Sequence, residues 1–387
     1  MNTAVTETKK VARVDHAVFE MKFVDIGRQY LAYRDEIDAR IRNVLEHTQF
    51  ILGPEVEELE QVLSARVGVK HAVTTASGTV SLEIALRSLN IGLGDEVITS
   101  PFTFVATAEV IRLVGATPVF VDIDEDSFNV DPTAVELAIT NRTKAIIAVN
   151  LFGRMADYSH LNKISDSQSV PLIEDAAQSF GAVQDGKVSG GAGFVGATSF
   201  FPAKTLSCFG DGGALFCSDD NLALRIRQLR NHGGDGSDFS YVGTNGRLDT
   251  LQAAIVLAKL IHFDDELERR RLLARRYSEN LADICRVPAL SVGDEHVFTP
   301  FTIRVRHRDQ VRSELAKIDV PTAVYYPRCL HQQPAYAAFG KVGNFPIAEK
   351  AATEVLSLPL HPFLLEAEQD FVIREVRSAV KRLSGSS

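Results

Sequence analysis

Pro171-Leu-Ile-Glu-Asp-Ala-Ala-Gln178 is a short apolar run that ends in two adjacent carboxylates, with a glutamine close behind. Such a run reads as a buried strand, and open α/β sheets bind ligands outside the carboxyl ends of their strands. The stretch therefore carries Glu174 and Asp175 to the edge of a ligand site, with Gln178 within reach of the same spot. An acid there could hold a positively charged ring nitrogen. An N-cap for the following turn is the plain alternative.

Outward from this stretch the chain alternates. Short apolar runs occur at 71–74, 97–98, 118–121, 145–149, 198–201 and 214–217, in addition to 171–173. Helical spacing separates several of them, at 80–89, 104–114, 132–138, 158–165 and 222–231. Strands alternating with helices predict a mainly parallel seven-stranded sheet covered on both faces, forming one large α/β domain. Two helices precede it, at 36–45 (Ile37, Ile41, Val44 and Leu45 on one face) and 54–67 (Val56, Leu59, Val62 and Leu63 buried). A helix at 247–261 follows it. Residues 263–285 form a long charged helix in which Asp265–Arg269 and Glu266–Arg270 are i,i+4 pairs, so the arginines are expected on a solvated face. The pattern then resets into a smaller C-terminal α/β unit, with a strand at 298–305 and helices at 309–318 and 366–383. The expected division is a disordered tail over 1–20, a large domain over 21–262, and the long helix plus small domain over 263–387, with Met21 a second possible start.

The 387 residues carry 41 Lys and Arg against 50 Asp and Glu, a net charge of −9, which disfavours nucleic acid or an anionic membrane as partner. No run of apolar residues is long enough to span a bilayer, and the polar N-terminus does not read as a signal peptide, so a cytoplasmic location is expected. Cys208, Cys217, Cys285 and Cys329 form no CxxC pair and stand beside no His cluster, so neither a disulfide framework nor a metal site is expected.

Gly191-Ala-Gly-Phe-Val-Gly196 matches the GxGxxG fingerprint of dinucleotide binding. That fingerprint requires the glycines between a strand and a helix. Here they precede an expected strand at 198–201, so the match is read as a turn entering the sheet.

Two more segments complete a chemical pattern. Thr74-Thr-Ala-Ser-Gly-Thr79 lies between a strand and the helix at 80–89, where free N–H groups and the helix dipole form an anion site. A simple N-cap by Ser77 or Thr79 is the alternative. Ser199-Phe-Phe-Pro-Ala-Lys204 places a lysine among Phe200, Phe201, Leu206 and Phe209. A poorly hydrated lysine has a lowered pKa and can form a Schiff base with an aldehyde. A phosphate cradle, an acid for a pyridine nitrogen and a Schiff-base lysine, in that order, point to pyridoxal phosphate.

From about Met21 to the C-terminus the sequence resembles the DegT/DnrJ/StrS nucleotide-sugar aminotransferases, of the aspartate-aminotransferase fold type I. The motifs that carry it are GDEVI (94–98), FTFVATAE (102–109), KAIIAVNLFG (144–153), IEDAAQSFGA (173–182), SFFPAK (199–204), GDGGA (210–214) and RLDTLQAAI (247–255). SFFPAKTLSCFGDGG (199–213), AVYYP (323–327) and QPA (333–335) narrow it to 3-aminotransferases acting on UDP-2-acetamido-2-deoxy-3-oxo-glucuronate. The resemblance implies roles. Lys204 would bind pyridoxal 5'-phosphate and shuttle protons, Asp175 would pair with the ring nitrogen, Gln178 would bond the ring hydroxyl, and Phe104 would stack on the ring. Ser77, Gly78, Thr79 and Ser199 would hold the phosphate. Asn245 and Arg247 would reach the site of a partner subunit, at the phosphate and the sugar respectively, which implies a homodimer. Tyr325 and Tyr326 fall where a substrate-lining His-Tyr pair is common, and Tyr325 departs from it. L-glutamate would supply the amino group and a keto-sugar nucleotide would receive it, in polysaccharide biosynthesis. A dTDP-3-keto-6-deoxyhexose or 4-keto sugar nucleotide is the alternative substrate, with Arg328 and His331 expected as surface or loop residues near that pocket. A dehydratase would carry His in place of Lys204, and a non-catalytic regulatory member would not need Lys204, Asp175 and Gln178 together.

Overall fold

The computed structural model describes residues 13–14, 17–18, 21–234, 236–289 and 293–384. The tail expected over 1–20 lies outside these residues, apart from β1 (Arg13–Val14) and β2 (Ala17–Val18), which pair antiparallel. The central sheet is built from β3 (His71–Thr75), β4 (Glu96–Thr99), β5 (Thr117–Phe120), β6 (Thr143–Val149) and β7 (Leu172–Asp175). A small hairpin follows, β8 (Val183–Gln184) with β9 (Lys187–Val188), and then β10 (Val195–Ser199) and β11 (Gly213–Cys217) complete the sheet. Its strand order is β3-β11-β10-β7-β6-β4-β5. Only β11 runs antiparallel to its neighbours, β3 and β10; the other pairs are parallel.

Period-two alternation sends neighbouring residues to opposite faces. Ala72, Ile146, Leu172 and Phe216 meet one apolar layer, with the helices Pro54–Val67, Tyr158–Gln168 and Thr250–Leu260. Val73, Ile147, Ile173 and Leu215 meet the other, with Gly78–Ser88, Val105–Leu113 and Asp220–Arg230. Each fully buried Ile or Leu contributes about 1.5–3 kcal/mol.

After the helix Phe263–Leu281 come β12 (Phe301–Arg304) and β13 (Val355–Leu358), an antiparallel pair packed with the helices Arg308–Ala316 and Glu366–Ser384 around a separate core. Between them, Cys329, Leu330, Tyr336 and Phe345 pack on Phe102, Phe120 and Phe152 of the sheet domain. This seats the preceding Tyr325 and Tyr326 at the carboxyl end of the sheet.

Four expectations need correction. Leu45 and Val62 are 54% and 41% exposed, because each lies at the margin of its helix's apolar stripe. Glu266 and Arg270 do not lie on a solvated face. Both are buried: Glu266 accepts from Gln29 Nε2 at 2.9 Å and Arg270 donates to the Leu360 carbonyl at 3.2 Å. The strand expected at 198–201 begins at Val195, so Gly196 lies inside it. Those glycines are needed for close backbone approach: a Cβ on Gly196 would sit 2.1 Å from the Gly190 carbonyl oxygen, and one on Gly193 2.8 Å from that of Leu172. Finally, His331 is no surface residue: it is buried, with Nε2 at 3.1 Å from Glu349. Arg328 is exposed.

Candidate active site

β7 sorts its two carboxylates by alternation. Glu174 shares a face with Leu172, where it is fully buried and accepts from Asn150 Nδ2 (2.8 Å), Ser189 Oγ (3.0 Å), Gly190 N (2.7 Å) and Ala192 N (2.8 Å). It organises the glycine-rich turn. Asp175 shares the opposite face with Ile173. Its Oδ1 accepts from Ala177 N at 3.1 Å and its Oδ2 from Thr107 Oγ1 at 3.1 Å. Burial pushes the Asp175 pKa up, against these two donors and the charge of Lys204.

Lys204 follows the turn that leaves β10, where its N–H bonds the Phe201 carbonyl at 2.8 Å. Phe200 beside it is fully buried, whereas Phe201 is half exposed. Part of the Lys204 side chain still reaches solvent, yet its surroundings are dense enough that burial lowers its pKa, with Asp175 opposing. The two groups sense each other without forming an ion pair. A buried amine of this kind spends more of its time neutral and nucleophilic than a solvated lysine.

Ser77 is the N-cap of Gly78–Ser88, its Oγ accepting from Val80 N at 3.2 Å. The N–H groups of Gly78 and Thr79 have no acceptor among the described residues, and no acid stands in the first turn. Ser199 lies directly against this helix start: a Cβ on Gly78 would come within 2.7 Å of the Ser199 Cβ. Capping and anion binding are therefore compatible here, because the cap uses only the Val80 donor.

Phe104 caps Val105–Leu113 and is 54% exposed, leaving its ring open to a ligand. It stands 6.3 Å from the ring of Tyr326, whose hydroxyl accepts from Gln178 Nε2 at 3.2 Å. The Gln178 Oε1 accepts from Phe152 N at 2.9 Å, which fixes the amide so that its NH2 faces Tyr326. Burial raises the Tyr326 pKa, so the phenol stays protonated. Tyr325 packs edge-on against Phe23 at 6.3 Å.

Asp175, Lys204, Gln178, Phe104 and Tyr326 thus converge, next to the Ser77–Ser199 cradle. Asn245 and Arg247 are not brought to Lys204 within this chain. Asn245 is exposed and bridges Asn231, and Arg247 donates to Asn231 Oδ1 at 2.7 Å. The sequence reading missed Thr107, the Phe152 N–H and Phe23. Thr107 had a signal: it stands one helical turn beyond Phe104 in FTFVATAE. Among the described residues no group of three or more His, Cys, Asp or Glu is placed to hold a metal ion, and no helix is long and apolar enough to cross a membrane.

A mainly parallel sheet with one antiparallel strand, ending in a buried acid, a partly buried lysine and a helix N-terminus, defines a fold type I transferase. The chain belongs to the DegT/DnrJ/EryC1/StrS aminotransferase family, whose profile matches residues 32–377. It is 48% identical over 346 residues to the UDP-2-acetamido-2-deoxy-3-oxo-D-glucuronate aminotransferase of Pseudomonas aeruginosa, covering 89% of this chain and 96% of that protein. Among solved structures it is similar to a DegT DnrJ EryC1 StrS aminotransferase from Brucella abortus (TM-score 0.90, 42% identity, 92% of this chain and 99% of that one). It is also similar to NtdA from Bacillus subtilis with bound cofactor PMP (TM-score 0.88, 30% identity, 96% and 87%).

Proposed function

We propose that this aminotransferase uses pyridoxal 5'-phosphate to move an amino group from L-glutamate to UDP-2-acetamido-2-deoxy-3-oxo-D-glucuronate, acting as a cytoplasmic homodimer in surface polysaccharide biosynthesis. The observation that carries the cofactor is the Asp175–Lys204 pair. Burial disfavours the charge on both, and they lie near enough to influence each other without an ion pair. A ligand that offers a basic ring nitrogen to Asp175 and an aldehyde to Lys204 answers both demands. The free Gly78 and Thr79 N–H groups, with Ser77 and Ser199, suit its phosphate.

When bound, the cofactor supplies an aldehyde that condenses with amines and a ring that accepts the electron pair freed at the substrate carbon. The chain's own residues do the rest. Asp175 would hold the positive charge of a ring nitrogen, Gln178 Nε2 would donate toward a ring hydroxyl, and Phe104 would stack on the ring. The neutral Lys204 amine would take the proton from the substrate carbon and deliver it to the cofactor carbon that bore the aldehyde. Hydrolysis by one water would release the carbon skeleton of glutamate as 2-oxoglutarate while its amino group stays behind, and the reverse sequence would transfer that group to the sugar ketone, whose oxygen leaves as water.

The relative from Pseudomonas aeruginosa supports the sugar. Tyr325 and Tyr326 would line it, and Tyr325, in the His position of the pattern, is where a dTDP-3-keto-6-deoxyhexose or 4-keto sugar could be preferred instead. Arg247 and Asn245 would act on a partner's site. Phe50, Ile51 and Leu52 support the homodimer: all three are exposed, and Ile51 bridges to Asp249 beside Arg247. Residues 21–262 would form the cofactor unit and 263–387 the long helix and small domain.

Lys204→Ala is expected to abolish transamination and the visible absorbance of protein reconstituted with pyridoxal phosphate. Full activity in that variant rejects the reading. Mixing the aminated enzyme with a panel of keto-sugar nucleotides, and following return of the visible band in a single turnover, decides the sugar.

A further inference from the structure

The assigned roles leave unexplained how a fully enclosed Asp175 is kept ionised and aimed. Its carboxylate has two neutral donors, one local and one distant in sequence. Ala177 N is two residues away and comes with any turn of this kind. Thr107 Oγ1 comes from another element, the helix Val105–Leu113 that β7 faces through Ile173 and Asp175. Thr107 is itself buried, and its hydroxyl is 3.4 Å from that of Thr103. The ammonium of Lys204 is the remaining charged influence on Asp175 and forms no ion pair with it.

We propose that Thr107 is the positioning residue of Asp175: its hydroxyl fixes the direction of Oδ2 and holds the carboxylate in the ionised form that a protonated ring nitrogen requires. The inference rests on the pyridoxal-phosphate reading above. Phe104 and Thr107 lie three residues apart on one helical turn, so one element both offers the open aromatic face and orients the acid. A shift of that helix would move both together. Thr107 touches Asp175 and acts only through it.

The test is a pH titration of the visible band of protein reconstituted with pyridoxal phosphate, in wild type, Thr107→Val, Thr107→Ala and Thr107→Ser. Valine keeps the shape and removes the hydroxyl, alanine guards against misfit of valine, and serine restores the donor. Without the Thr107 bond Asp175 is a weaker anion and the ring nitrogen is less protonated. The nitrogen joining Lys204 to the cofactor then keeps its proton to higher pH. The midpoint is expected to rise by about 1 to 2 pH units in the valine and alanine variants, the size of one lost bond to a charged group. Serine is expected to titrate with wild type. A wild-type midpoint in both valine and alanine variants overturns the proposal, as does a serine variant displaced as far as they are. If wild type itself forms no visible band, or keeps it in Lys204→Ala, the cofactor reading fails instead.

Discussion

Glu174 and Asp175 are adjacent acids on one strand, and their separation into a structural and a chemical group can be tested on Glu174. In Glu174→Gln the side chain keeps its shape. Its carbonyl oxygen can replace Oε1, which takes three of the four bonds, from Asn150, Ser189 and Gly190. The amide NH2 then faces Ala192 N, a donor that Oε2 now satisfies at 2.8 Å. One buried N–H is left unpaired against another donor, at a cost of about 2–3 kcal/mol. For a domain of this size, about 2 kcal/mol corresponds to a fall of ~4–8 °C in melting temperature. Glu174→Ala strands the Gly190 and Ala192 N–H groups, whereas Ser189 keeps Ser179 Oγ and Asn150 Nδ2 keeps Ser189 Oγ, so the cost is about 4 kcal/mol by the same reckoning. Asp175→Asn should melt near wild type, because the Thr107 hydroxyl can turn to accept from the new amide. It should nevertheless move the pH midpoint of the cofactor's visible band upward. Thermal melting of cofactor-free protein reads the first effect and reconstitution the second. The sorting is refuted if Glu174→Gln melts with wild type, or if Asp175→Asn falls as far as Glu174→Gln does.

Arg28 clamps the small domain: its two terminal nitrogens each lie 2.7 Å from the Glu368 carboxylate, which is buried. Arg28→Ala is expected to cost about 2–3 kcal/mol, less than a fully enclosed pair because Arg28 is partly solvated, read as a lower unfolding midpoint in urea. Lys259 is buried beside Ser207 Oγ (3.1 Å) and the Phe209 ring (4.3 Å), and burial lowers its pKa from 10.5 to about 8. Between pH ~8 and ~10.5 the unfolded chain binds more protons than the folded one, so stability should rise with pH across that window, by on the order of 3 kcal/mol. Lys259→Met should remove that rise, and an unchanged slope in calorimetry would exclude Lys259 as its source.

The sheet was legible because its strands are apolar runs of strand length bounded by helical periods. The helices Pro54–Val67 and Pro132–Ala138 match their expected bounds, each opened by a proline at its first turn. β10 was misplaced because Gly193 and Gly196, required by backbone contact, interrupt its apolar pattern, while Phe200 and Phe201 extend that pattern past its end. Arg270 and Glu266 were misread because an i,i+4 rule sees one helix only. The partners that bury them, Gln29 and Leu360, are far away in sequence. Asp175 and Lys204 stood out through their unusual settings. Thr107 did not: its spacing from Phe104 sets it on the same turn, but its partner Asp175 is unknown until the strand that helix faces is known.

The demands of Asp175 and Lys204 also bear on stability. Each is enclosed at some cost to its charged form, and neither neutralises the other through an ion pair. A ligand that binds only the folded chain stabilises it by mass action, about 2.7 kcal/mol at a hundredfold excess over its dissociation constant. Pyridoxal phosphate should therefore raise the melting temperature of wild type by several degrees, ~5–10 °C at that excess. It should do so much less in Lys204→Ala, which loses the covalent link, and less in Asp175→Asn, which loses the charge facing the ring. Inorganic phosphate should give only the small part owed to the helix start at Gly78 and Thr79. Equal gains from pyridoxal phosphate in all three proteins would place its binding elsewhere on the molecule, because neither side chain would then contribute to it.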